Sequence, residues 1–158
     1  MIDEAGYRAN VGIIISNDQK QVFWGHRPGY SQEEGWQFPQ GGIKVGERPE
    51  QAMYRELYEE VGLLPQDVSI LGQTAGWLSY DFGMTKLTAK GERYIGQKQI
   101  WFLLRLISSE SQIKLTCGHK PEFDDWHWVD YDYPLAHVVI FKREVYKQAL
   151  KALSDHLK

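Results

Sequence analysis

At 158 residues the chain is long enough to bury a real core, and no linker-like stretch divides it, so one domain over residues 1–158 is expected. Apolar content of 42% and charged content of 25% are those of an ordinary globular protein, and a net charge of −3 excludes a global basic footprint. A nucleic-acid partner would have to be held by a local patch or through a metal.

The lone Cys117 excludes an intrachain disulfide and carries no zinc spacing, and no apolar run reaches membrane-spanning length; a cytoplasmic protein is expected. Aromatic residues reach 13%, which fills a core or supplies stacking platforms for bases.

In chain order, Val11 to Ile15 is a β-branched run that reads as a strand buried on both faces. It closes at Ser16-Asn17-Asp18, and Gln21 to Trp24 follows, which predicts a hairpin. Arg8 before it and Arg27 after it read as solvated strand-end charges or as ligand contacts. A polar loop, Pro28 to Gly35, leads to Trp36-Gln37-Phe38-Pro39-Gln40-Gly41-Gly42, where two adjacent glycines mark a tight turn or a close approach of backbone to a ligand. A helix is predicted from Pro49, a good first-turn residue, to a stop at Gly62, although Arg48 is a poor cap. Val68 to Leu71 reads as a strand, and Trp77 to Arg93 as an irregular, mobile or substrate-facing insertion. Ile95 to Leu106 predicts a long central strand, Ser108 to Gly118 a polar connection, and the residues after Phe123 a further strand. A short helix over Tyr133 to Val139 precedes an amphipathic terminal helix, Lys142 to Leu157, with Val145, Ala149, Ala152, Leu153 and Leu157 as its apolar stripe.

The first helix carries the most informative pattern. Glu56, Glu59 and Glu60 fall at i, i+3 and i+4 and share one face, while Met53, Leu57 and Val61 form a stripe roughly 140° away. Like charges at this spacing cost an isolated helix about 0.2–0.5 kcal/mol per pair. A hard divalent cation, whose preferred ligands are carboxylate oxygens, would turn that repulsion into coordination.

The wider spacing runs Gly41, five residues, Glu47, seven residues, Arg55-Glu56-Leu57, one residue, Glu59-Glu60, one residue, Gly62-Leu63. It resembles the Nudix box of hydrolases that cleave a nucleoside diphosphate linked to another group. That resemblance implies an α/β (α+β) fold with a mixed β-sheet sandwiched between helices. It also implies a divalent cation, Mg²⁺ first, with Mn²⁺ or another as alternatives. Glu56, Glu59 and Glu60 would be its ligands beside the backbone of Gly41 and Gly42. Glu47 and Arg55 would orient loop and helix by a salt bridge, with Gly62 structural. Either Glu59 or Glu60 would accept the proton of the attacking water.

Further segments, including Gly6 to Gly12, Trp36 to Ile43, Gly96 to Gln99, Pro121 to Phe123 and Phe141 to Arg143, are similar to the bacterial RNA pyrophosphohydrolases and the related dinucleoside polyphosphate hydrolases. By that resemblance Glu122 is an extra metal-binding or base carboxylate. Arg8, Arg27, Gln40, Gln97 and Lys142 contact phosphates and the first nucleotides, and Phe141 offers a stacking face worth about 1–3 kcal/mol per base. The implied partners are RNA 5′ ends or nucleotide substrates, with no DNA and no membrane, and a monomer is the default. Two features depart from the pattern. The loop Pro28 to Gly35 is longer and carries Glu33 and Glu34, and Leu78 to Tyr94 offers only Lys86, Lys90 and Arg93 against Asp81 and Glu92. Both weaken attraction for a long RNA backbone and keep a dinucleoside polyphosphate open as substrate. A catalytically silent binding module is the non-enzymatic alternative, against which the retained glutamates argue.

Overall fold

The computed structural model describes residues 1–116 and 120–157; Cys117 and the end of the polar connection at Gly118 lie outside the described residues. Strands β1 (Tyr7–Ser16), β2 (Gln21–His26), β3 (Trp36–Gln37) and β4 (Gln40–Gly42) precede helix α1 (Pro49–Val61). Then come β5 (Val68–Gln73), β6 (Leu78–Leu87), β7 (Arg93–Leu106), β8 (Asp125–Asp130) and helices α2 (Tyr133–His137) and α3 (Arg143–Leu153).

The two longest partners, β1 and β7, run parallel from Tyr7 opposite Gly96 to Ser16 opposite Arg105. A parallel pair needs a crossover connection, and this one contains α1. The sheet continues in the order β3-β2-β1-β7-β5, with β4 on β1, β6 on β7 and β8 on β2.

Both central strands are buried on two faces because their side chains alternate between two cores. Val11, Ile13 and Ile15 of β1 and Ile100, Phe102 and Leu104 of β7 pack with Met53, Leu57 and Val61 of α1. Ile14, Trp101 and Leu103 face the other way, onto Val145, Tyr146, Ala149, Leu150 and Leu153 of α3. Burial of each such side chain contributes about 1.5–3 kcal/mol. The mixed sheet is therefore held between α1 and α3, as expected. Glycine at position 12 is required by this packing, since a Cβ there would overlap the Trp101 indole.

Helix α1 begins at Pro49 and stops at Gly62, which takes the left-handed conformation (φ 79°) and donates its N–H to the Tyr58 carbonyl. The poor cap Arg48 is supported from inside the helix: its N–H donates to Gln51 Oε1 at 2.9 Å.

Two expectations are corrected. The segment Trp77 to Arg93 is not irregular but forms most of a hairpin, with β6 paired antiparallel to β7. Its Ser, Asp, Gly and Lys residues hide the strand, because the pairing rests on backbone bonds to β7 rather than on side-chain propensity. In α3, Ala152 is exposed, and Tyr146 and Leu150 complete the buried stripe in its place. The Tyr146 hydroxyl is buried there by accepting the N–H of Phe38 at 3.0 Å.

Candidate active site

Strand β4 lies on β1, with Gly41 opposite Val11 and Gly42 opposite Asn10, and this pairing lays the glycines against α1. A Cβ on Gly41 would overlap the Glu56 carboxylate, so only glycine lets the backbone lie that close. The Gln40 N–H donates to Glu60 Oε1 at 2.9 Å. Arg55 ties the loop to the helix. Its Nε donates to Glu47 Oε2 and its Nη2 to Glu47 Oε1, both at 2.9 Å, while Nη2 also reaches the Gly42 carbonyl at 2.7 Å. The Nη1 donates to Glu56 Oε1 at 2.7 Å and lies 3.6 Å from Glu59.

The three box carboxylates share a helix face but not an environment. Glu60 is 2% exposed, whereas the Glu59 side chain is 46% exposed. Burial first, then the charges of Glu56 and Glu122, raise the Glu60 carboxyl well above its usual range. Burial also raises Glu56, against the opposing pull of Arg55. Arg55 in turn holds Glu47 down to about 2.

A cavity of about 210 Å³ opens beside Glu60. Of the residues singled out from the sequence, it brings together Arg27, Gln40, Glu60, Gln97, Glu122, Phe141 and Lys142. It does not include Arg8, Arg55, Glu56 or Glu59. Arg8 stands outside, packed against Gly42 with its guanidinium 5.8 Å from the centroid of the Tyr94 ring, which itself lines the cavity. Lys142 is buried and donates from Nζ to Gln37 Oε1 at 2.9 Å. Burial, then the nearby Arg27 and Lys86, bring its ammonium down to about 7, against a pull upward from Glu60. Phe141 is 42% exposed, its ring tilted against Tyr80 at 5.9 Å.

Gln37, Tyr80, Phe82, Lys86 and Tyr94, to which the sequence assigns no individual site role, also line this cavity. The Tyr80 hydroxyl donates to Gln97 Oε1 at 3.0 Å, which fixes the amide in the cavity wall. The available signal is the alternation of Tyr80 and Phe82 with polar residues, masked by the glycine and charged residues that follow.

Among the described residues no three Asp, Glu, His or Cys side chains converge into a ready-made metal cage. The donor chemistry nonetheless fits a hard divalent cation. The site offers only oxygen donors, and two crowded carboxylates are pushed up by burial and mutual repulsion that a cation would relieve. Magnesium also keeps several waters and takes one or two carboxylates plus substrate phosphates, so it needs no complete protein cage.

The profile of the NUDIX domain matches residues 6–149. The chain is 52% identical over 157 residues to a protein of Halorhodospira halophila named RNA pyrophosphohydrolase, covering 99% of this chain and 85% of that protein. A Francisella philomiragia protein of the same name is also 52% identical, with 99% of both chains covered. Among solved structures, the E. coli dihydroneopterin triphosphate pyrophosphohydrolase shares the fold with a TM-score of 0.65 at 21% identity, covering 90% of this chain and 95% of that one. A C. elegans Ap4A hydrolase does so with a TM-score of 0.61 at 17% identity, covering 96% and 99%. With its glycine-backed acidic helix and a profile match across nearly its whole length, the chain belongs to the NUDIX domain family.

Proposed function

We propose that this protein hydrolyses the 5′-terminal triphosphate or diphosphate of RNA and leaves a 5′-monophosphate end, the step that admits a 5′-end-dependent ribonuclease. The observation that carries this reading is 52% identity, over nearly the full chain, to proteins named RNA pyrophosphohydrolase. A cavity in which cations face carboxylates beside an exposed aromatic ring supports it.

Glu56, Glu59, Glu60 and Glu122, with the Gly41 backbone, would hold a divalent cation, Mg²⁺ in this reading, which supplies charge neutralisation on phosphate oxygens and an oriented water. The chain's own residues do the rest. Arg27 and Lys142, which share the cavity lining with Glu60 and Glu122, bind phosphate oxygens, and Phe141 stacks a base. Gln40, Gln97 and Arg8 position the 5′ end. Glu59, the most exposed of the box carboxylates, has ready access to solvent for taking up and releasing a proton; Glu60 is buried and bonded to Gln40. Arg55 keeps Glu56 turned toward the Gly41–Gly42 strand. One domain acts alone, as a monomer in the cytoplasm; no helix among the described residues is long and apolar enough to cross a membrane.

One observation favours a second substrate. A cavity of about 370 Å³ adjoins the first through Arg27, Gln37, Phe141 and Lys142, and its lining includes Glu33 and Glu34. Acids there work against a long RNA backbone and favour a short ligand such as a dinucleoside polyphosphate. Competition of 5′-triphosphate RNA with diadenosine tetraphosphate in Mg²⁺ decides the matter, read as the ratio of kcat/KM values. A preference for RNA is expected. A preference for the dinucleotide would replace the RNA reading while leaving the same glutamates in place.

A further inference from the structure

Strand β6 leaves its ladder midway. Its register with β7 shifts between Asp81 and Lys86, so residues 82–85 form an arch between the two paired stretches, and Gly83 takes a positive φ (79°) within it. Pairing resumes with Lys86 opposite Tyr94. The arch carries Phe82 and the resumed strand carries Lys86, whose Nζ lies 4.0 Å from the Phe82 ring centroid. Both residues line the small cavity together with Arg27 and Lys142.

These three cations have no carboxylate within ion-pair distance among the described residues, whereas Arg55 and Lys98 do. Their closeness is felt at Lys142, where the charges of Arg27 and Lys86 add to burial in disfavouring the ammonium. Unpaired like charges gathered round one cavity are a cost in the free protein, and an anion of more than one charge would remove it.

We propose that Lys86 is a substrate-positioning residue, the third cation of a clamp with Arg27 and Lys142 that the β6 arch delivers to a polyphosphate chain. The inference rests on the RNA-end reading above and extends it to the recognition of the phosphates themselves. A 5′-monophosphate end carries about −1.5 to −2 charge at neutral pH, and each further phosphoryl group adds negative charge and oxygen acceptors. A polyphosphate end therefore engages all three cations, while the product engages fewer. Lys86 in this way favours substrate over product.

The test is equilibrium binding of a short RNA with a methylene-bridged, uncleavable 5′-triphosphate, compared with the same RNA carrying a 5′-monophosphate or a 5′-hydroxyl. The proteins are the wild type, Lys86→Gln, Lys86→Arg and Lys90→Gln, the last a nearby lysine that does not line the cavity. Lys86→Gln is expected to weaken the triphosphate RNA about fivefold to tenfold, the size of one charge-assisted contact, and to leave 5′-hydroxyl RNA unchanged. Lys86→Arg is expected to restore binding, and Lys90→Gln to change it less than about twofold. In turnover the loss should appear in KM, with kcat and the melting temperature kept. Equal triphosphate binding by wild type and Lys86→Gln, or an equal loss in Lys90→Gln, overturns the inference alone. A wild type that binds triphosphate and hydroxyl ends equally overturns the RNA-end reading and the clamp with it.

Discussion

Arg55 grips both carboxylate oxygens of Glu47 at 2.9 Å and, with the remaining guanidinium nitrogen, reaches Glu56 at 2.7 Å. One planar fork thus joins the loop before α1 to a carboxylate at the centre of the site, a geometry that lysine does not reproduce. Glu47 also accepts the Lys44 N–H, which fixes the loop's own turn.

The pH dependence of that link follows from Glu47. Its folded-state pKa is depressed from 4.5 to about 2, chiefly by Arg55, so its stabilisation is present above the unfolded value and disappears as pH falls from 4.5 through about 2. The contribution is at most about 2–3 kcal/mol. Urea unfolding of wild type and Glu47→Gln should differ by that amount at pH 6 and converge near pH 2; a constant difference would assign the effect to packing.

His26 works in the opposite direction. Its ring nitrogens lie 2.6 Å from Asp124 Oδ1 and 2.7 Å from the Ser31 carbonyl, and two acceptors demand the doubly protonated ring. Burial opposes the charge, but Asp124 and Ser31 together raise the pKa above 6.5. The stabilisation is therefore full below 6.5 and is lost as pH rises through the folded value. The imidazole titration followed by NMR should show a raised midpoint that drops in Asp124→Asn, and amide exchange in residues 28–35 should quicken above that midpoint. An unraised midpoint in wild type removes this link between the loop and the Glu122 segment.

Lys142, held down to about 7, should gain a proton when phosphate oxygens arrive. Titration calorimetry with inorganic pyrophosphate at about pH 7.5, run in buffers of different ionisation enthalpy, should report uptake of a fraction of a proton per site. Lys142→Gln should abolish the buffer dependence. If wild type shows no buffer dependence, the ammonium is already fully charged and the lysine serves as a fixed cation.

Glu60 sets function against stability. A carboxylate that is 2% exposed and raised by its neighbours costs the metal-free protein, so Glu60→Gln should raise metal-free stability by about 1 kcal/mol. The same change should lower kcat/KM by about 100-fold or more if Glu60 is a cation ligand, and chelation of divalent ions should stop turnover in wild type. Added Mg²⁺ should raise the wild-type melting temperature more than that of Glu60→Gln. Equal shifts would move the ligand role to other carboxylates.

Much of this protein is legible in its residues alone. The spacing from Gly41 to Leu63 encodes a helix with an acidic face and an apolar face, because helical periodicity is local and needs no partner to be read. The β-branched run of β1 and the apolar run Ile100 to Leu104 of β7 mark strands for the same reason. Which charges meet is set by long-range packing. Glu60 and Glu59 look alike on a helical wheel, yet one is buried under β4 and the other faces solvent, since burial depends on the element packed above. The β6 arch was equally illegible: its strand is held by backbone bonds to β7, and its Lys86 reaches Arg27 and Lys142 across more than 40 residues of sequence on either side. Local propensity fixes an element, but a binding site is an encounter between elements, and that is settled by long-range pairing and packing.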